Sequence, residues 1–96
     1  MIPELELLDA CAHGNCPGHS ETFVNAVNWL YEGDCARLLY VIKKMRQDGT
    51  LEMRLDGTPI EDWQLDAWLR SPDTIETTAA LQRVTLRTTA VGLKFI

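Results

Sequence analysis

Cys11, His13, Cys16 and His19 lie within nine residues, in the run Cys11-Ala-His-Gly-Asn-Cys-Pro-Gly-His19. Thiolate sulfur and imidazole nitrogen are the ligands a structural Zn²⁺ prefers, and a turn rich in Gly and Pro can fold them inward. Cys16-Pro-Gly-His19 has the spacing of half a zinc knuckle, a motif whose other half usually comes from elsewhere in a chain. Four ligands in one nonapeptide are sterically tight. The expected set is therefore Cys11, Cys16, His19 and Cys35, with His13 as a substitute, holding a structural zinc. The same residues allow two other chemistries. Cys11 or Cys16 could be a nucleophile beside His13 or His19, oriented by Asp9 or Glu21. Alternatively the segment is a plain turn with buried, inert cysteines. Groups this close in sequence rarely assemble a hydrolase triad, and no phosphate-cradling glycine loop accompanies them. The expectation is a protein that is not an enzyme.

Charge is the second signal. The net charge is -5, with nine Lys+Arg against fourteen Asp+Glu. Residues 1–36 carry six acids (Glu4, Glu6, Asp9, Glu21, Glu32, Asp34) and no Lys or Arg, whereas residues 37–96 carry eight acids and nine bases. A nucleic-acid binder rests on concentrated positive charge that releases counterions from phosphate. This balance disfavours one, although Lys43, Lys44 and Arg46 make a local basic cluster. An all-acidic leading third suits a basic protein surface. Trp29, Trp63 and Trp68 are the natural anchors for such a contact, since Trp is enriched at interface hot spots; the alternative is that they fill the core. Trp63 and Trp68 are five apart and cannot share one narrow helical stripe, so one of them should point outward.

These residues need elements to position them. The 96 residues read as a single domain of ordinary globular composition, 46% hydrophobic and 24% charged. The longest apolar run, Leu38 to Ile42, is far short of a bilayer span. The start of the chain has no basic signal-like segment, and the three cysteines cannot complete a disulfide framework, so a cytoplasmic location is expected. Pro3 opens a first helix that ends near His13-Gly14. Ser20 caps a second helix carrying Phe23, Val27, Leu30 and Tyr31 on one stripe and stopping at Gly33. Asp34 caps a third helix to about Gln47, with Leu38, Ile42 and Met45 inward and the basic cluster near its C-terminus, where cations suit the helix dipole. Thr50 to Arg54 alternates as a short strand, with Leu51, Met53 and Leu55 on one side, and Asp56-Gly57 marks a turn. Thr58-Pro59-Ile60-Glu61 predicts a helix start, running to about Arg70. Asp73 and Glu76 offer a capping box for a short helix to about Gln82. Val84 to Arg87 alternates as a strand, and Leu93 to Ile96 is predicted to return beside it as a C-terminal β-hairpin.

The expected fold is thus α+β: four to five helices, a short strand and a C-terminal hairpin. Leu38 to Arg54, a helix running through Gly49 into a strand, resembles the second helical unit of a winged-helix domain. Thr88 to Ile96 is similar to a wing strand. The likeness covers about half the chain and departs from the family by the extra helix after Pro59. Two functions of different class follow. One is a small regulator, adaptor or inhibitor of the kind mobile elements carry. It would bind a basic protein partner through Glu4, Glu6, Asp9 and an outward Trp63 or Trp68, and a homodimer is compatible with it. The other is the function the resemblance implies, a DNA-binding regulator that presents Arg37, Lys43, Lys44 and Arg46 on the third helix, with Arg83, Arg87 and Lys94 on the hairpin. No membrane partner is expected.

Overall fold

The computed structural model describes residues 3–12 and 21–95. It is α+β, with five helices and a four-stranded antiparallel sheet. In chain order these are α1 (Pro3–Ala12), β1 (Glu21–Thr22), α2 (Phe23–Leu30), α3 (Cys35–Gln47), β2 (Leu51–Leu55), β3 (Thr58–Pro59), α4 (Asp62–Arg70), α5 (Ile75–Leu81) and β4 (Val84–Thr88), closed by a 3₁₀ turn over Gly92–Phe95. None of these helices is long and apolar enough to cross a membrane.

The helices form where their caps and stripes dictate. Thr22 caps α2, its Oγ1 accepting from the Asn25 amide at 3.2 Å. Ser20, expected in that role, lies outside the described residues. Glu21 and Thr22 are instead the short strand β1. Asp34 caps α3 as expected, its Oδ1 accepting from the Arg37 amide at 3.1 Å. One face of α3 is buried through Leu38, Leu39, Ile42 and Met45.

Two expectations need correction. Thr58-Pro59 does not begin α4. Asp56 and Gly57 both have positive φ (52° and 83°), the conformation of a two-residue hairpin turn that follows the right-handed twist of its strands. The turn folds Thr58 and Pro59 back on Leu55 and Arg54 as β3, and α4 starts three residues later. There Glu61 is the N-cap, and Gln64 Oε1 accepts from its amide at 2.8 Å. Likewise Thr74, not Asp73, caps α5.

The second correction concerns the C-terminal hairpin, which does not form. Val84–Thr88 pairs with Leu51–Leu55, with Met53 opposite Leu86 and Leu55 opposite Val84. It also pairs on its other edge with β1, giving the order β1-β4-β2-β3. This register puts Leu51, Met53, Val84 and Leu86 on one buried face and leaves Glu52, Arg54, Thr85 and Arg87 on the other. Leu93 to Phe95 could offer no comparable apolar face, and they stay exposed. Helices α1 to α4 cover the buried face. The Thr88 hydroxyl donates to the Leu8 carbonyl at 2.6 Å, tying α1 to the central strand.

Gly92 is wedged where the chain leaves the sheet. A Cβ there would lie 2.3 Å from the Thr50 carbonyl oxygen and 2.7 Å from Thr88 Cγ2. Gly92→Ala should therefore lower unfolding free energy by about 1–3 kcal/mol, measured by urea denaturation. An unchanged midpoint would show that this packing is loose.

Candidate docking surface

Trp29 sits one residue before the end of α2, off the buried stripe of Phe23, Ala26 and Val27, and is 85% exposed. Its indole borders a hollow of about 150 Å³ lined by Ala10, Glu21, Asn25, Ala26 and Leu30. The apolar floor comes from α1 and α2, and the charge at the rim is acidic. Glu21 is held in place there. Its Oε1 accepts from the Thr22 amide at 2.8 Å and from Asn25 Nδ2 at 3.2 Å. Asp9 is exposed beside Ala10, and Glu6 is half-buried one helical turn earlier. The side chain of Glu4 lies outside the described residues.

The other tryptophans separate as their spacing requires. Trp63 is 67% exposed at the start of α4. Trp68 is 8% exposed and belongs to the core with Leu65, which corrects its expected place in a docking surface. Sequence reasoning counted Trp29 among the possible anchors but placed only Trp63 and Trp68 on the docking surface. The signal was present: position 29 falls about 200° around the helix from Val27, away from the apolar stripe.

The basic cluster is largely spoken for. Lys43 Nζ lies 2.9 Å from Asp66 Oδ1, and Arg46 Nη1 lies 2.8 Å from Asp62 Oδ1. Arg46 also donates to the Ile60 carbonyl at 3.2 Å. Arg83 pairs with Asp56 at 2.7 Å, and Arg54 with Glu52. Arg37 stacks over Tyr31, 5.6 Å from the ring centroid. Lys44, Arg87 and Lys94 make no ion pair among the described residues. Helix α4 therefore brings two carboxylates onto the side of α3 where a DNA reader would need free cations. Asp62 is 93% exposed, so its pair with Arg46 adds little stability; its effect is on local charge.

Of the proposed zinc ligands, Cys11 and Cys35 are described; His13, Cys16 and His19 lie outside the described residues. Among the described residues no three potential ligands converge. Cys11 is fully buried in the core. Burial, and secondarily the charge of Glu21, pushes its thiol up to about 12. Metal ligation needs the thiolate, so a zinc on Cys11 would first have to displace that tightly held proton. Cys35, half-buried at the start of α3, is also raised, by burial first and then by Asp73 and Asp34. Neither thiol has the lowered pKa of a nucleophile.

Three outcomes follow from this arrangement. Trp68→Ala should destabilise the fold by about 3–5 kcal/mol, whereas Trp29→Ala and Trp63→Ala should stay within about 0.5 kcal/mol in thermal or urea melts. Equal costs at all three would mean the exposed indoles pack against something. The Cys11 thiol sets an alkaline limit. Its folded pKa is raised, so its contribution is intact below the unfolded value of 9.0 and drains away as pH climbs toward 12. The unfolded chain releases that proton first, which costs roughly 1.4 kcal/mol per pH unit across the window. Cys11→Ala should flatten this slope in denaturation curves at pH 8 to 11. In native protein near pH 8, a thiol reagent should label Cys11 far more slowly than after unfolding.

No family model, curated protein or solved structure matches this chain, so its function is argued from this surface.

Proposed function

We propose that the chain is a non-enzymatic regulator that binds another protein through the face built by α1, β1 and the end of α2. The carrying observation is Trp29, a large apolar anchor left 85% exposed over a hollow whose one charged lining residue is Glu21. An exposed indole beside a hollow offers a partner a large apolar contact, and Trp is enriched at interface hot spots. Surrounding carboxylates steer and orient a basic partner. Glu6, Asp9 and Glu21 supply them here, within a leading third that holds six acids and no Lys or Arg. Among the described residues cysteine chemistry gives no competing support, because Cys11 is buried with its proton held and the Cys35 thiol is raised as well.

A second reading is DNA binding by a winged-helix-like domain. Its support is topological: three helices, the third passing through Gly49 into β2, whose antiparallel partner β4 lies between it and β1. Residues 56–83, with α4 and α5, take the place of a short wing connection. That insertion also weakens the reading. Asp62 and Asp66 stand against Arg46 and Lys43, and phosphate would meet carboxylates beside the cations it needs.

The two readings separate on simple measurements. Duplex DNA at about 50 mM salt should show no shift with the wild-type protein; binding that falls steeply with salt and is lost in Lys43→Glu would favour the DNA reader instead. In parallel pull-downs, a partner captured by wild type should be lost with Trp29→Ala and weakened by Asp9→Lys, both variants keeping wild-type melting curves. Capture indifferent to both substitutions would place docking elsewhere.

A further inference from the structure

We infer that the acidic docking face has its complement on the same chain, so that two copies associate by setting the Trp29 face of one on the solvent stripe of α3 of the other. This rests on the docking reading above and names an occupant for that face. The stripe is Arg37, Tyr40 and Lys44, at i, i+3 and i+7, opposite the side that buries Leu38, Ile42 and Met45. Tyr40 is 69% exposed, and beside it Leu69 of α4 helps line a hollow of about 510 Å³. This second surface resembles the first in kind: an exposed aromatic next to a depression, with lysines rather than an acid at its edge. Lys44 has no ion-pair partner among the described residues, and Arg37 is engaged only by the Tyr31 ring.

The facing charges favour a protein occupant of discrete acidity over a polyphosphate. Asp34 caps α3 beside Arg37, Asp48 follows the helix end, and Asp62 and Asp66 hold Arg46 and Lys43. A continuous row of phosphates would run into these carboxylates. An indole flanked by a few carboxylates can meet Tyr40, Arg37 and Lys44 without doing so. That occupant exists at equal concentration on every copy: residues 1–36 contribute −6 and residues 37–96 contribute +1, which sum to the net −5. Like faces repel and unlike faces attract, so head-to-tail contact is the favoured encounter. Such a contact closes as a two-fold pair when both faces of each copy meet at once and otherwise continues into a ring or chain of copies.

Sedimentation equilibrium across a concentration series tests this, using the full chain at low and high salt. Wild type should associate reversibly, more weakly at high salt. Arg37→Glu with Lys44→Glu, and separately Glu6→Lys with Asp9→Lys, should each raise the self-dissociation constant by about tenfold or more. Mixing the two double variants should restore association, since each then offers the charge its partner lacks; melting curves confirm that both are folded. A wild-type chain that stays monomeric overturns the inference, as does a mixture that fails to reassociate. If that monomer still loses its captured partner on Trp29→Ala, the docking reading survives without this one. Duplex DNA binding abolished by Arg37→Glu with Lys44→Glu would assign the stripe to nucleic acid instead.

Discussion

The position of Val84–Thr88 in the middle of the sheet is the constraint on which the rest depends. It is hydrogen-bonded on one edge to residues 51–55 and on the other to residues 21–22, so one strand holds together the first, middle and last thirds of the chain. Leu86 and Val84 complete the buried face with Leu51 and Met53, and the Thr88 hydroxyl reaches the Leu8 carbonyl to fix α1 across it. A ladder of this kind is slow to assemble because its loops must close before any contact repays them. Once formed, it leaves α1 and α2 side by side, and that adjacency creates the hollow beside Trp29.

Charge on this molecule is arranged by the same placement. After β3 the chain returns α4 against α3, with Leu65 and Trp68 in the core, so Asp62 and Asp66 lie on Arg46 and Lys43. These partly exposed pairs contribute little to stability. They matter because they neutralise one side of α3 and leave Arg37, Tyr40 and Lys44 as its open stripe. Among the described residues Glu6, Asp9 and Glu21 join none of these ion pairs. The outcome is a small domain with a negative aromatic face and a modest positive aromatic stripe.

Most helices were legible before any coordinates. Asp34 announces α3, and the 3.6-residue spacing of Leu38, Ile42 and Met45 fixes its inner face. What misled was local plausibility. Thr58-Pro59-Ile60-Glu61 carries every mark of a helix start, yet the Asp56-Gly57 turn competes for the same residues and wins them for β3, because pairing with Arg54 and Leu55 extends an existing sheet. The C-terminal hairpin failed for a related reason. Alternation identified Val84 to Arg87 as a strand, but periodicity carries no information about which strand lies beside it, and Leu51–Leu55 offered a better apolar face than Leu93 to Phe95. Among candidate site residues, the five-residue gap between Trp63 and Trp68 correctly required divergence without saying which would be buried, and Trp29 was detectable only by noticing that it missed its helix's stripe.

By itself the sequence determined the α+β class, the cap and inner face of α3, and the lopsided distribution of charge, because these follow from residue type and spacing within a few turns of chain. Tertiary structure alone decided that β4 sits between β1 and β2, that Trp68 is core while Trp29 and Trp63 are not, that Cys11 is sealed as a neutral thiol, and that α4 places carboxylates on the cations of α3. Each of those depends on contacts between residues far apart in the chain, where burial of apolar surface chooses among pairings that local patterns leave equal.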